Sequence, residues 1–189
     1  VNEVATALLL EWALNNGVST FVYASGITVI GKPDILPVKE THPTVPLNHY
    51  FLSKLFGEMI CEMYRKTNRM KVISLRITSP YGVGMASKTV LPLFVSKAMS
   101  SEDIYLYGTG CRTQNFVHVD DIVQAMLLAS STVNPGVYNV AGCQSISMYD
   151  LATLVLRLLP GCSSKIVFSK KPDPQDDYRW DVDIERARN

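Results

Sequence analysis

Nothing in this sequence is apolar for long enough to cross a membrane as a helix, and no block of Lys and Arg offers a footprint for nucleic acid or an anionic lipid surface. The charges nearly cancel, 18 basic against 17 acidic residues with a formal net +1, so a partner recognised by net charge has no support. The first residues lack the basic, apolar and small-residue order of a signal peptide. Cysteine is sparse: Cys61, Cys111, Cys143 and Cys162 form no C-x-x-C pair, which leaves neither a zinc site nor a dithiol redox motif. Free thiols in a reducing cytoplasm are the expectation. His42, His49 and His118 show no ligand-like spacing, and no metal is expected. Also missing is the glycine fingerprint G-x-G-x-x-G; the nearest match, Gly108-Thr109-Gly110, runs toward a strand rather than a helix.

What is present is a mixed α/β pattern. Asn2 to Asn15 places Val4, Ala5, Leu8, Leu9, Trp12 and Ala13 at helical spacing, with Gly17 as a stop. This predicts a helix with those side chains, Trp12 among them, in the core. Thr20 to Ala24 reads as a strand, and a proline-rich loop runs to Pro46. Leu47 to Lys66 reads as a long helix with Phe51, Leu55, Met59 and Met63 on one face, fit for core or for a partner subunit. Lys71 to Arg76 is a second strand. Helix, strand, helix, strand implies parallel crossover units. Past Pro80 helices are expected over 90–99, 119–129 and 147–159, the last capped by Ser147, with strands near 104–107, 116–117 and 137–140. Asp120 and Asp121 should cap the middle helix and complement its dipole. The acidic run from Asp173 to Asp183 reads as a solvated, mobile stretch.

Tyr50 and Lys54 carry the chemistry. Four residues apart on a helix, they project from one face. A phenol with a pKa of ~10 is a poor base at neutral pH, but an adjacent ammonium favours the phenolate. Such a pair can take a proton from a hydroxyl as hydride leaves the same carbon. The spacing by itself also fits a half-buried tyrosine beside a surface lysine.

The order of motifs adds to this. Asn2-Glu3-Val4-Ala5-Thr6 comes first, then Phe21 to Ser25 with Val29-Ile30-Gly31, and Glu40 to Pro46 as ETHPTVP. Tyr50-x-x-x-Lys54 follows, then Leu75-Arg76 with Pro80-Tyr81-Gly82, Gly108-Thr109-Gly110 with Asn115 to Asp121, and Val137 to Val140. In this order they resemble the extended short-chain dehydrogenase/reductases, the NAD-dependent epimerase/dehydratase family, and within it the UDP-glucose 4-epimerase-like enzymes. The resemblance implies a Rossmann-like doubly wound parallel sheet with a smaller mixed α/β substrate lobe. Residues 1–80 would be the C-terminal part of the NAD(P)-binding domain, and 81–189 mainly the substrate lobe with returning Rossmann elements. It further implies that the glycine-rich phosphate loop lies upstream of Val1. Tyr50 would be the acid/base and Lys54 would hold the nicotinamide ribose of NAD or NADP, with Asn2 and Thr78 beside the cofactor and Ser79 near the substrate diphosphate. A nucleotide-sugar substrate and a homodimer follow from the same likeness.

Three departures qualify this. The strand-end hydroxyl of the family is replaced by Gly26; Ser25 and Thr28 are the nearest candidates, Ser25 expected on the opposite strand face and Thr28 able to return to the same side. Ile30 stands where the family has an aromatic residue. A phosphate-gripping Arg is replaced by Gln114; Arg112, two residues earlier, either shares its face or is a solvated loop residue. A dehydratase would carry an Asp-Glu pair where Ile27 and Thr28 stand, which disfavours dehydration. The enzyme reading therefore stands beside two others, a cofactor-binding scaffold that has lost catalysis and a reductase of a non-sugar substrate.

Overall fold

The computed structural model describes residues 2–67, 70–86, 88–131 and 134–189. Its centre is a parallel sheet ordered β1-β2-β6, formed by β1 (Thr20–Gly26), β2 (Lys71–Ile77) and β6 (Gly136–Val140). Helices α1 (Asn2–Asn15) and α2 (His49–Thr67) cover one face, enclosing Leu10, Ala13, Tyr23, Cys61, Met70 and Val72. Helix α4 (Val119–Ser131) covers the other, over Ile73, Leu75, Val117, Ile122 and Val140. With both faces covered, β2 is a continuously buried run from Val72 to Arg76, as parallel strands in α/β sheets are.

Beyond β2 the chain builds a second layer of short elements. β3 (Ser79–Tyr81), β5 (Thr113–His118) and β7 (Ser145–Ser147) form a mixed sheet, parallel between β3 and β5 and antiparallel between β5 and β7. β4 (Ile104–Leu106) pairs with β8 (Ile166–Phe168). Together with α3 (Val90–Met99) and α5 (Met148–Leu158) this pair closes a separate core around Phe94, Ile104, Leu106, Leu151 and Val155. Ser147 caps α5 as expected, its hydroxyl accepting from the Asp150 N–H at 3.0 Å. The short helix α6 (Glu185–Arg188) follows.

Four expectations are corrected. Helix α1 buries Thr6, Leu10 and Ala13 and leaves Val4, Leu8, Leu9 and Trp12 exposed, Trp12 by 61%. The helix is apolar on nearly every side, so periodicity had no contrast from which to choose its packed face. Of the two uses open to the α2 stripe, core is ruled out for Met59 and Met63, which are exposed; the packed face is Ser53, Gly57, Glu58 and Cys61. Small residues are needed there because Tyr23 comes so close that a Cβ on Gly57 would lie 2.2 Å from its hydroxyl. At α4 the Asp120 N–H donates to His118 Nδ1 at 3.3 Å, so His118 and not an Asp serves that group, while Asp120 and Asp121 lie inside the first turn and complement the dipole. The acidic run is docked at two points while Asp177 and Asp181 stay exposed: Asp173 pairs with Arg112, and the Asp176 carboxylate accepts from the Thr109 N–H at 2.9 and 3.0 Å. Gly108 and Gly110, at φ of +59° and +73°, thus shape a loop that holds an internal carboxylate.

Candidate active site

The carboxyl ends of β1 and β2 open into a cleft of about 850 Å³. Switch regions at the ends of parallel strands are where α/β sheets place their ligands. Tyr50 and Lys54 from α2 line it, with Ser25, Gly26 and Thr28 from the end of β1, and Thr78, Ser79, Arg112 and Gln114 from the other side. Of the candidate catalytic, cofactor and substrate residues read from the sequence, all line this cleft but Asn2. Its amide donates to the Ser53 hydroxyl at 3.0 Å, and Ser53 donates to the Tyr50 carbonyl at 2.7 Å. Asn2 thereby fastens α1 to the first turn of α2.

The Tyr50 side chain is 58% exposed. One Lys54 N–H donates to the Ala24 carbonyl at 2.9 Å, and the ammonium lies 5.9 Å from the Tyr50 ring centre and 5.5 Å from that of Tyr23. An ammonium has three protons to donate, so this anchor leaves two for a bound molecule. Partial burial pulls the Lys54 pKa below its ordinary value. Burial pushes the Tyr23 phenol up to about 12, which keeps it neutral where it packs against α2.

What orients α2 is a group that sequence reasoning passed over. Glu58, one turn beyond Lys54, is buried against Arg76 of β2. The guanidinium donates through Nε and Nη2 at 3.0 and 2.8 Å, and through Nη1 to the Glu40 carbonyl at 3.0 Å. The Ser25 hydroxyl donates to the same Glu58 carboxylate. Ser25 therefore borders the cleft, but its hydroxyl is committed to this buried network on the α2 face of the sheet. The signal was available: an Arg inside a fully buried strand requires a carboxylate partner, and Glu58 lies two turns past Tyr50 on the packed face.

The opposite side of the cleft is fixed by Asn115, buried in β5. Its amide donates to the Gly142 carbonyl at 3.0 Å, and its oxygen accepts from Gly142 N at 2.8 Å and from the Thr78 hydroxyl at 3.0 Å. The Ser79 hydroxyl accepts from Gln114. Arg112 lines the cleft, with Nε donating to Asp173 at 2.9 Å, so it is neither free nor a solvated loop residue. Ile27 is buried, and among the described residues no Asp or Glu lines the cleft.

A model of the NAD dependent epimerase/dehydratase family matches residues 1–141. Among curated proteins, a dTDP-glucose 4,6-dehydratase of Streptomyces antibioticus is 30% identical over 156 residues, covering 82% of this chain and 47% of its own. Among solved structures, a UDP-glucose 4-epimerase of Thermotoga maritima with UDP-glucose superposes at a TM-score of 0.90 with 25% identity, over 99% of this chain and 62% of its own. A UDP-glucuronic acid 4-epimerase of Bacillus cereus in complex with NAD gives a TM-score of 0.84 with 25% identity, over 98% of this chain and 59% of its own. The chain spans between 47% and 62% of the length of the first curated relatives it matches.

Proposed function

The chain belongs to the NAD dependent epimerase/dehydratase family, and we propose that it supplies the acid/base pair and the substrate side of an enzyme that epimerises a nucleotide sugar with NAD. The observation that carries this reading is the joint placement of Tyr50 and Lys54 in the cleft at the ends of β1 and β2, with the Lys54 ammonium anchored on Ala24 and two protons still to give. That donor set fits the paired hydroxyls of a nicotinamide ribose. NAD, when bound, accepts a hydride from a sugar carbon and returns it. Tyr50 takes the proton of the hydroxyl on that carbon and later gives it back, with the Lys54 ammonium 5.9 Å from its ring centre.

Thr78 stands on the cofactor side of this scheme and Ser79 and Arg112 on the substrate side, while Asn2, outside the cleft, steadies the start of α2 through Ser53. Arg112 would meet a diphosphate by sharing its guanidinium between that anion and Asp173. Among the described residues the cleft lining holds no carboxylate, which favours epimerisation over dehydration, since eliminating water from a sugar requires a further acid and base. Unpaired thiols at all four cysteines agree with a cytoplasmic setting.

Replacing Lys54 by Met in the full-length protein is expected to weaken NAD binding by about tenfold, as loss of charged hydrogen bonds of this kind does. Calorimetric titration of both forms, with thermal midpoints compared, checks it; equal affinities would contradict the assignment. The same scheme includes a homodimer, supported by Leu8, Leu9, Trp12, Met59 and Met63, which the packed pair α1 and α2 leaves exposed. Light scattering on the full-length protein should give twice the chain mass, and the single mass after Trp12→Glu with Met59→Glu. A monomeric parent protein would refute the dimer.

A further inference from the structure

Resting on the reading above, we propose that Thr28 supplies the hydroxyl that Gly26 cannot, donating a hydrogen bond to the same substrate oxygen whose proton Tyr50 removes. Along β1 the side chains alternate. The Ser25 hydroxyl faces Glu58 on the α2 side, so position 26 faces the cleft, and its backbone is extended at φ −136° and ψ 146°. A bare glycine at that point leaves the strand end without a donor. The chain does not continue outward; it turns at once into a short 3₁₀ helix over Ile27–Ile30. Within that turn Ile27, Val29 and Ile30 are buried, which leaves Thr28 as the residue directed at the cleft.

The turn folds Thr28 back over the glycine. Its Oγ1 lies 3.3 Å from the point where a Cβ on Gly26 would be, so the hydroxyl stands directly beside the space of the missing side chain. Among the described residues the Thr28 hydroxyl makes no hydrogen bond, whereas those of Ser25, Thr78 and Ser79 are all engaged by protein groups. The one uncommitted hydroxyl at the end of β1 is thus placed at the empty position. A donor preset for the charge that develops on a reacting oxygen is worth more than one recruited from water, and removing such a donor commonly costs about 10²-fold or more in rate.

The test is steady-state turnover of UDP-glucose by the full-length protein with NAD, for Thr28→Val, Thr28→Ala and Thr28→Ser, with thermal midpoints alongside. Thr28→Val and Thr28→Ala are expected to lower kcat about 10²-fold with KM within about threefold, and Thr28→Ser to stay within about threefold of the parent. Adding Gly26→Ser to Thr28→Ala should recover at least about tenfold, because the hydroxyl is then restored from the other position. Parental kcat in both Thr28→Val and Thr28→Ala, while Tyr50→Phe is inactive, would overturn the role of Thr28 and leave the reading of the site intact. A change in KM alone would also overturn it, since it would mark a binding contact rather than a donor to the reacting oxygen. No turnover by the parent would sink the reading of the site and this assignment together.

Discussion

Glu58→Ala is expected to destabilise the protein by about 3–5 kcal/mol, the usual cost of stranding one partner of a buried ion pair. The Glu58 and Arg76 side chains are 5% and 6% exposed. Removing the carboxylate leaves a guanidinium in the interior with only the Glu40 carbonyl and whatever water can enter. It also orphans the Ser25 hydroxyl. Replacing both ends by apolar groups, as in Glu58→Met with Arg76→Met, should cost much less than the sum of the single changes, because no buried charge remains. Urea denaturation of the four forms gives the coupling, expected at about 2 kcal/mol or more; additive losses would show that the pair does not act as a unit. The consequence reaches function because Glu58 lies on the helix that carries Tyr50 and Lys54. Loosening its seat on β2 moves both.

Gly31→Ala should be nearly as damaging, at about 3 kcal/mol or more. Gly31 sits at φ +79°, where a side chain alone costs about 1–3 kcal/mol, and its added Cβ would lie 2.1 Å from the Val45 carbonyl oxygen. That neighbour is backbone and has little room to retreat, since Val45 N is itself bonded to the Ile30 carbonyl. Gly17→Ala is the control: φ is +70° but nothing lies within 4 Å of the added atom, so about 1 kcal/mol is expected. Equal losses at the two positions, read from chemical denaturation, would show that backbone strain and not the close approach governs the site.

The strands β1 and β2 and the crossover helix between them were legible because a buried parallel strand and a long helix leave plain patterns, read at 20–24, 47–66 and 71–76 and observed within two residues of those bounds. The convergence of Tyr50, Lys54, Thr28, Ser79 and Arg112 on one cleft was legible only through the order of motifs, since spacing alone allowed a surface tyrosine and lysine. The packed face of α1 was not legible, because an all-round apolar helix takes its orientation from the sheet and from α2. Nor was the packed face of α2, where Ser53 and Gly57 are buried for their small size rather than their hydrophobicity. The engagement of Arg112 by Asp173 depends on chain segments 61 residues apart, beyond the reach of any local pattern.

The central claim is that Tyr50 moves the proton while hydride passes to the nicotinamide. It is tested most directly by mixing NAD-loaded full-length protein with UDP-glucose in a single turnover and following the absorbance of the reduced cofactor. A transient rise is expected in the parent protein and a rise slower by about 10²-fold to 10⁴-fold in Tyr50→Phe. The same rate in both forms would contradict the account.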